Sequence, residues 1–101
     1  MLDLKKLQTD IYKNKVAKGF NVENVYKEFC YLNEELSEAC RAYYKELPDL
    51  GEELADVAIY LLGLSEILGI DLESEIKNKI AKNKKRVYKK INGINTRIKD
   101  A

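Results

Sequence analysis

Hydrophobic positions recur at intervals of three and four residues in four stretches of the chain, the period of helices that bury one face. The first predicted helix runs from about Asp3 to Lys18, with Leu4, Leu7 and Ile11 on one side, and stops at Gly19. The second runs from about Val22 to Leu47 and carries Val25, Phe29, Leu32, Leu36, Ala39 and Tyr43 at helical spacing. Pro48-Asp49-Leu50-Gly51 is the sharpest break. The third helix runs from about Glu52 to Leu68, and Gly69 suits a left-handed C-cap. Asp71 is placed to N-cap a fourth helix that persists to about Lys90, with Glu73 and Glu75 near its positive end and lysines at its negative end. Gly93 and its flanking asparagines then mark a frayed tail, and no strand signal is read. Short connections favour antiparallel neighbours, so the expected fold is all-α, a four-helix bundle.

At 101 residues the chain has the length of one domain, expected as a helical body over 1–90 and a basic tail over 91–101. It contains no histidine, which excludes imidazole bases, serine-histidine triads and Cys/His zinc sites. Cys30 and Cys40 lie ten residues apart on one predicted helix, too far for a disulfide, so both are read as reduced thiols of a cytoplasmic protein. The opening residues Met1-Leu2-Asp3-Leu4-Lys5-Lys6 lack a signal peptide's apolar stretch, and the apolar run Val57 to Leu64 is too short to span a bilayer. No membrane partner is expected. Charge is lopsided: residues 1–76 hold 8 Lys/Arg against 16 Asp/Glu, a net of −8, whereas residues 77–101 hold 10 against Asp100 alone, a net of +9.

Polar residues intrude on the apolar stripes. On the third helix Val57, Leu64 and Ile67 form one stripe that includes Glu53, Asp56 and Tyr60, and Leu54, Ala58, Leu61 and Leu68 form another beside it. A helix covered on most sides withdraws Glu53 and Asp56 from water, which is costly unless a cation compensates them. On the second helix Glu35 and Glu38 share the shoulder stripe Tyr31-Glu35-Glu38-Ala42, whereas Glu34 points further outward. If these helices pack antiparallel, E-x-x-E and E-x-x-D converge in one cleft. Four carboxylates without histidine or thiolate suit a hard cation, Mg²⁺ or Mn²⁺. The fourth helix places Lys79, Asn83 and Arg86 on the face of Leu72, Ile76, Ile80 and Val87, a complement to the acids that suits a bound polyphosphate. No glycine-rich phosphate loop is present. Each element has a plainer use: the acids in a favourable first helical turn, the lysine and arginine snorkelling over the core, Tyr60 as a core aromatic.

Glu35-Leu36-Ser37-Glu38, Glu53-Leu54-Ala55-Asp56-Val57-Ala58-Ile59-Tyr60-Leu61, Lys79-x-x-x-Asn83-x-x-Arg86 and the linking Leu68-Gly69-Ile70-Asp71-Leu72 resemble the MazG-like, all-α nucleoside triphosphate pyrophosphohydrolases over about residues 5–90. The resemblance implies Mg²⁺-dependent cleavage between the α- and β-phosphates of a nucleoside triphosphate, giving a monophosphate and pyrophosphate. It implies Glu35, Glu38, Glu53 and Asp56 as metal ligands, Lys79 and Asn83 as phosphate contacts with Arg86 beside them, and Tyr60 near the nucleoside. Lys18-Gly19-Phe20-Asn21 is similar to a segment that closes over the base, making Phe20 a stacking residue. It further implies a homodimer or homotetramer. Glu38 is the carboxylate read as the base that orients or deprotonates water. The tryptophan that some relatives place around the base has no counterpart here. Two alternatives stay open: phosphoribosyl-ATP pyrophosphohydrolase, and a helical adaptor or nucleic-acid binder using the basic end. The acidic body and the lack of helix-turn-helix or finger spacing argue against nucleic acid.

Overall fold

The computed structural model describes residues 1–99; Asp100 and Ala101, the end of the expected tail, lie outside the described residues. Four helices are present: α1 (Leu4–Ala17), α2 (Val25–Tyr44), α3 (Leu50–Ile67) and α4 (Leu72–Lys85). The starts of α1, α2 and α4 follow from side chains that satisfy free backbone amides. Asp3 accepts from the Lys6 amide, Asn24 from the Lys27 amide and Asp71 from the Ser74 amide. Asp71 also accepts from the Ser74 hydroxyl at 3.0 Å. These bonds, the backbone one foremost, hold its carboxyl below the usual range. Gly69 ends α3 with φ +69, the left-handed conformation expected of it.

α2 and α3 form the principal pair, α1 lies against α3, and α4 touches α1. Tyr31 meets Tyr60 while Glu38 meets Glu53, so α2 and α3 run antiparallel. α1 crosses α3 at Gly63, where a Cβ would lie 3.3 Å from Ile11 Cγ2. Among the described residues the buried apolar side chains are few, Ala39, Ala42, Leu62 and Leu64, and buried polar Gln8, Lys15, Glu28 and Ser65 accompany them.

The packed face of α2 differs from the stripe expected. Glu28, Ala39 and Ala42 are buried, whereas Phe29, Leu36 and Tyr43 are exposed. The small alanines admit α3 closely, which turns the larger apolar side chains outward. The second stripe of α3 is likewise uncovered, with Leu54, Leu61 and Leu68 exposed. No helix among the described residues is long and apolar enough to cross a membrane.

The C-terminal quarter departs from the all-α expectation. α4 stops at Lys85, not near Lys90, and β1 (Val87–Ile91) pairs antiparallel with β2 (Ile94–Lys99). The turn residues Asn92 (φ 52) and Gly93 (φ 78) both have positive φ, as a tight hairpin turn requires. The frayed tail is thus a hairpin, one that crosses the domain edge expected at residue 90. Asn-Gly between the isoleucines Ile91 and Ile94, with β-branched residues beyond, outweighs helix continuation once the lysine run ends.

Gln8 fastens α1 to the α3–α4 turn: its amide nitrogen donates to the Ile70 carbonyl and its oxygen accepts from the Leu72 amide. Gln8→Leu keeps the volume but strands both backbone groups, so urea unfolding should show a loss of about 1–3 kcal/mol.

Candidate active site

The antiparallel pair brings three of the four expected carboxylates into one group. Glu35 and Glu38 project from successive turns of α2, Glu53 from the first turns of α3, and one oxygen from each lies within 4.8 Å of the others. Glu35 and Glu53 are half-buried, Glu38 exposed. Glu35 Oε2 and Glu53 Oε2 are shut off from water with no hydrogen-bond partner. Burial, followed by the charges of Glu38, Asp56 and Glu53, pushes the Glu35 carboxyl above the usual range. Glu53 is raised by burial and then by Glu38, Asp49 and Asp56. Asp56 is exposed, correcting the expectation that it would be withdrawn from water, and acts on the group through its charge. Asp49, which the sequence reading passed over, joins the acidic field: it makes no side-chain capping bond, and its Oδ1 is buried without a hydrogen-bond partner.

The expected phosphate contacts lie elsewhere in the chain. Lys79 and Asn83 are exposed on α4, and Arg86 is half-buried at its C-cap. α4 packs on α1, whereas the carboxylates belong to α2 and α3.

Beside the acids, Tyr60 is half-buried on α3 and meets Tyr31 edge-on at 6.3 Å between ring centres. Its hydroxyl is raised above the ordinary phenol range by burial, then by the charges of Glu35, Glu28 and Asp56, so it stays protonated at neutral pH. Lys15 Nζ sits 5.3 Å from the centre of its ring. Phe20, more than half exposed in the loop between α1 and α2, stands over two adjoining hollows that both include Lys15 and Tyr60. One, of about 330 Å³, is walled mainly by Leu7, Ile11 and Ile59 with Asp10 and Asn14 at its edge. The other, about 230 Å³, is lined by Asn21, Glu28 and Tyr31.

A buried ion pair that the sequence reading did not identify organises this second region. Lys15 donates to Glu28 Oε1, and Asn21 Nδ2 donates to Glu28 Oε2 at 3.0 Å. Asn21 also receives the Asn24 amide on its Oδ1, so the loop carrying Phe20 is tied to the start of α2. The signal was present: Lys15 continues the Leu4-Gln8-Ile11 line of α1, and Glu28 the Leu32-Glu35-Ala39 line of α2.

Two outcomes follow. Lys15→Met leaves Glu28 buried without its cation and should cost about 3–5 kcal/mol in denaturant unfolding, while Lys15→Met with Glu28→Leu should recover most of that loss. The acidic group sets a pH dependence in metal-free protein. A carboxyl whose folded pKa is raised stabilises the fold below its unfolded value, near 4.5, and loses that contribution as pH rises through the folded value. Glu53→Gln should therefore be more stable than the parent in chelator at about pH 7, with the gap closing towards about pH 4.

Compared with known proteins, the chain matches the model of the MazG-like family over residues 30–100. It is 42% identical over 60 residues to a dATP/dGTP diphosphohydrolase of Salmonella phage PMBT28, an alignment covering 59% of this chain and 19% of that protein. The chain thus spans about a fifth of that relative's length. No solved structure matches it. The family match takes in three quarters of α2, the whole of α3 and α4, and with them every carboxylate of the acidic group, and on that match the chain belongs to the MazG-like family.

Proposed function

We propose that the protein is a divalent-metal-dependent nucleoside triphosphate pyrophosphohydrolase, cleaving the α–β phosphoanhydride to release a monophosphate and pyrophosphate. The observation that carries this reading is the convergence of Glu35, Glu38 and Glu53, with two carboxylate oxygens that neither water nor a hydrogen-bond donor reaches. Carboxylates brought this close repel one another unless protons or a cation intervene, and an all-oxygen donor set suits Mg²⁺ or Mn²⁺. The residues present therefore fit the ion.

Glu35, Glu38 and Glu53 would hold the metal, with Asp56 of the same motif beside them adding its charge, and the metal, when bound, would supply Lewis-acid polarisation of the phosphoryl group and a more acidic water. Glu38, the solvent-facing member of the cluster, would accept the proton of the attacking water, the work that histidine does in many hydrolases. The resemblance gives Lys79, Asn83 and Arg86 to the phosphate chain; within one chain they stand on α4, which packs on α1, and not beside the α2–α3 carboxylates. Phe20 stacks on the base, and protonated Tyr60 donates near the nucleoside. The name of the phage relative, a dATP/dGTP diphosphohydrolase, makes purine deoxynucleoside triphosphates the first substrates to try. The uncovered apolar stripes on α2 and α3 support a homodimer or homotetramer, and the exposed thiols of Cys30 and Cys40 suit a reducing cytoplasm.

Incubation with dATP and Mg²⁺, followed by chromatography of the nucleotides and a pyrophosphate assay, should yield dAMP and pyrophosphate, and nothing in chelator. Release of orthophosphate with dADP, or no turnover across a panel of triphosphates, would reject the reading. Glu53→Gln should lower kcat by at least about 100-fold with its helical circular dichroism intact.

A further inference from the structure

The two hollows under Phe20 share a wall that is charged, buried and held in one place. Lys15 is 9% exposed, yet it lines both of them. Its ammonium carries three protons; Glu28 Oε1 accepts one, and the Tyr60 ring centre lies 5.3 Å away. Glu28 is held in its turn, because Asn21 donates to its Oε2 at 3.0 Å and the residue is 1% exposed. The cation therefore meets the hollow with its burial already compensated and its position fixed, which is preorganisation for a ligand.

The larger hollow has the make-up of a site for a flat heterocycle. Its volume of about 330 Å³ falls in the range of small-molecule pockets. Leu7, Ile11 and Ile59 give it apolar walls, and the rings of Phe20 and Tyr60 border it. Asp10 brings a hydrogen-bond acceptor to its edge.

The donor in the wall selects among bases. An ammonium donates and never accepts, so it suits a base edge that offers two acceptors side by side. Guanine and hypoxanthine do so through O6 and N7, the pair that lysine contacts on guanine in duplex DNA. Adenine sets an amino group beside N7 instead, which turns donor against donor, and a buried polar group left unmatched is penalised heavily. The 6-oxopurines also carry an N1–H for the Asp10 acceptor, where adenine has a bare ring nitrogen.

We propose that Lys15 selects the base of the substrate, donating from the wall of the larger hollow to O6 and N7 of a 6-oxopurine and so favouring guanine over adenine. This rests on the reading that a nucleotide places its base beneath Phe20, and adds to it the choice of base.

The first test varies the ligand on unaltered protein. With Mg²⁺, kcat/KM for dGTP and dITP should exceed that for dATP and for 2-aminopurine deoxyriboside triphosphate by about 10- to 100-fold. dITP keeps O6 without the 2-amino group, and the 2-aminopurine keeps the amino group without O6, so the series isolates the oxygen. The second test removes the donor. Lys15→Met alone leaves Glu28 unpaired and destabilised, so Lys15→Met is combined with Glu28→Leu. The dGTP-to-dATP ratio should then fall to within about 3-fold, a change that a merely structural role would not produce. The third reads binding without turnover: in chelator, dGMP should shift the ¹⁵N–¹H signals of Lys15, Phe20 and Tyr60 at lower concentration than dAMP does. Equal turnover of dATP and dGTP, a loss of dITP alongside dATP, or an unchanged ratio in the double variant would overturn the assignment while hydrolysis stands. Failure to cleave any triphosphate is loss of the hydrolase reading instead, and the titration then judges Lys15 by itself: equal affinities for dGMP and dAMP, or shifts elsewhere, would overturn its role.

Discussion

The close approach of α2 to α3 is the constraint from which the rest of the structure follows. Ala39 and Ala42 are nearly fully buried on α2, and side chains this small let the two backbones come near. Acids one turn further along then have nowhere to spread. Glu35 and Glu38 meet Glu53 with a spacing that a repulsive trio would not choose in water. The packing that stabilises the pair and the electrostatics that destabilise its acidic end are thus two results of one approach distance.

At the other end of the same pair the sign of the problem is reversed and solved internally. Glu28 is almost wholly enclosed, and Lys15 and Asn21 satisfy its two oxygens. Removing such charges from water is expensive, so the arrangement contributes less to net stability than to defining one geometry. That geometry ties α1 to α2, fastens the loop carrying Phe20 to the start of α2 and places a cation against the Tyr60 ring. Tyr60 feels both ends, since Glu35 and Glu28 each raise its hydroxyl.

Much of this was legible in the residues. Asp71 and Gly69 announced the boundaries that the structure shows, because capping is a local matter of one side chain and one backbone angle. Glu35, Glu38 and Glu53 were legible from helical spacing combined with an antiparallel pairing. The face of α2 was not, because a helical wheel weights large apolar residues as inward, and here alanines take the buried line. Lys15 and Glu28 escaped notice for a related reason: each stands alone in its stripe, and their pairing depends on how α1 lies relative to α2, which periodicity does not encode. The hairpin was missed although Asn92-Gly93 carries a strong turn signal, since the lysine-rich run before it reads as helix until the turn is weighed.

Gly63 couples two parts of the sequence that have no local reason to know of each other. At the crossing of α1 over α3 a Cβ on that glycine would lie tight against Ile11 Cγ2 and in ordinary contact with the Lys15 stem. A methyl gained at 63 asks the Ile11 side chain to give by a few tenths of an ångström and meets the Lys15 stem at ordinary contact, so the larger the side chain there, the more it presses on the residue that pairs with Glu28. The room at 63 is thus set by which side chain stands at 11, a dependence between two positions on different helices.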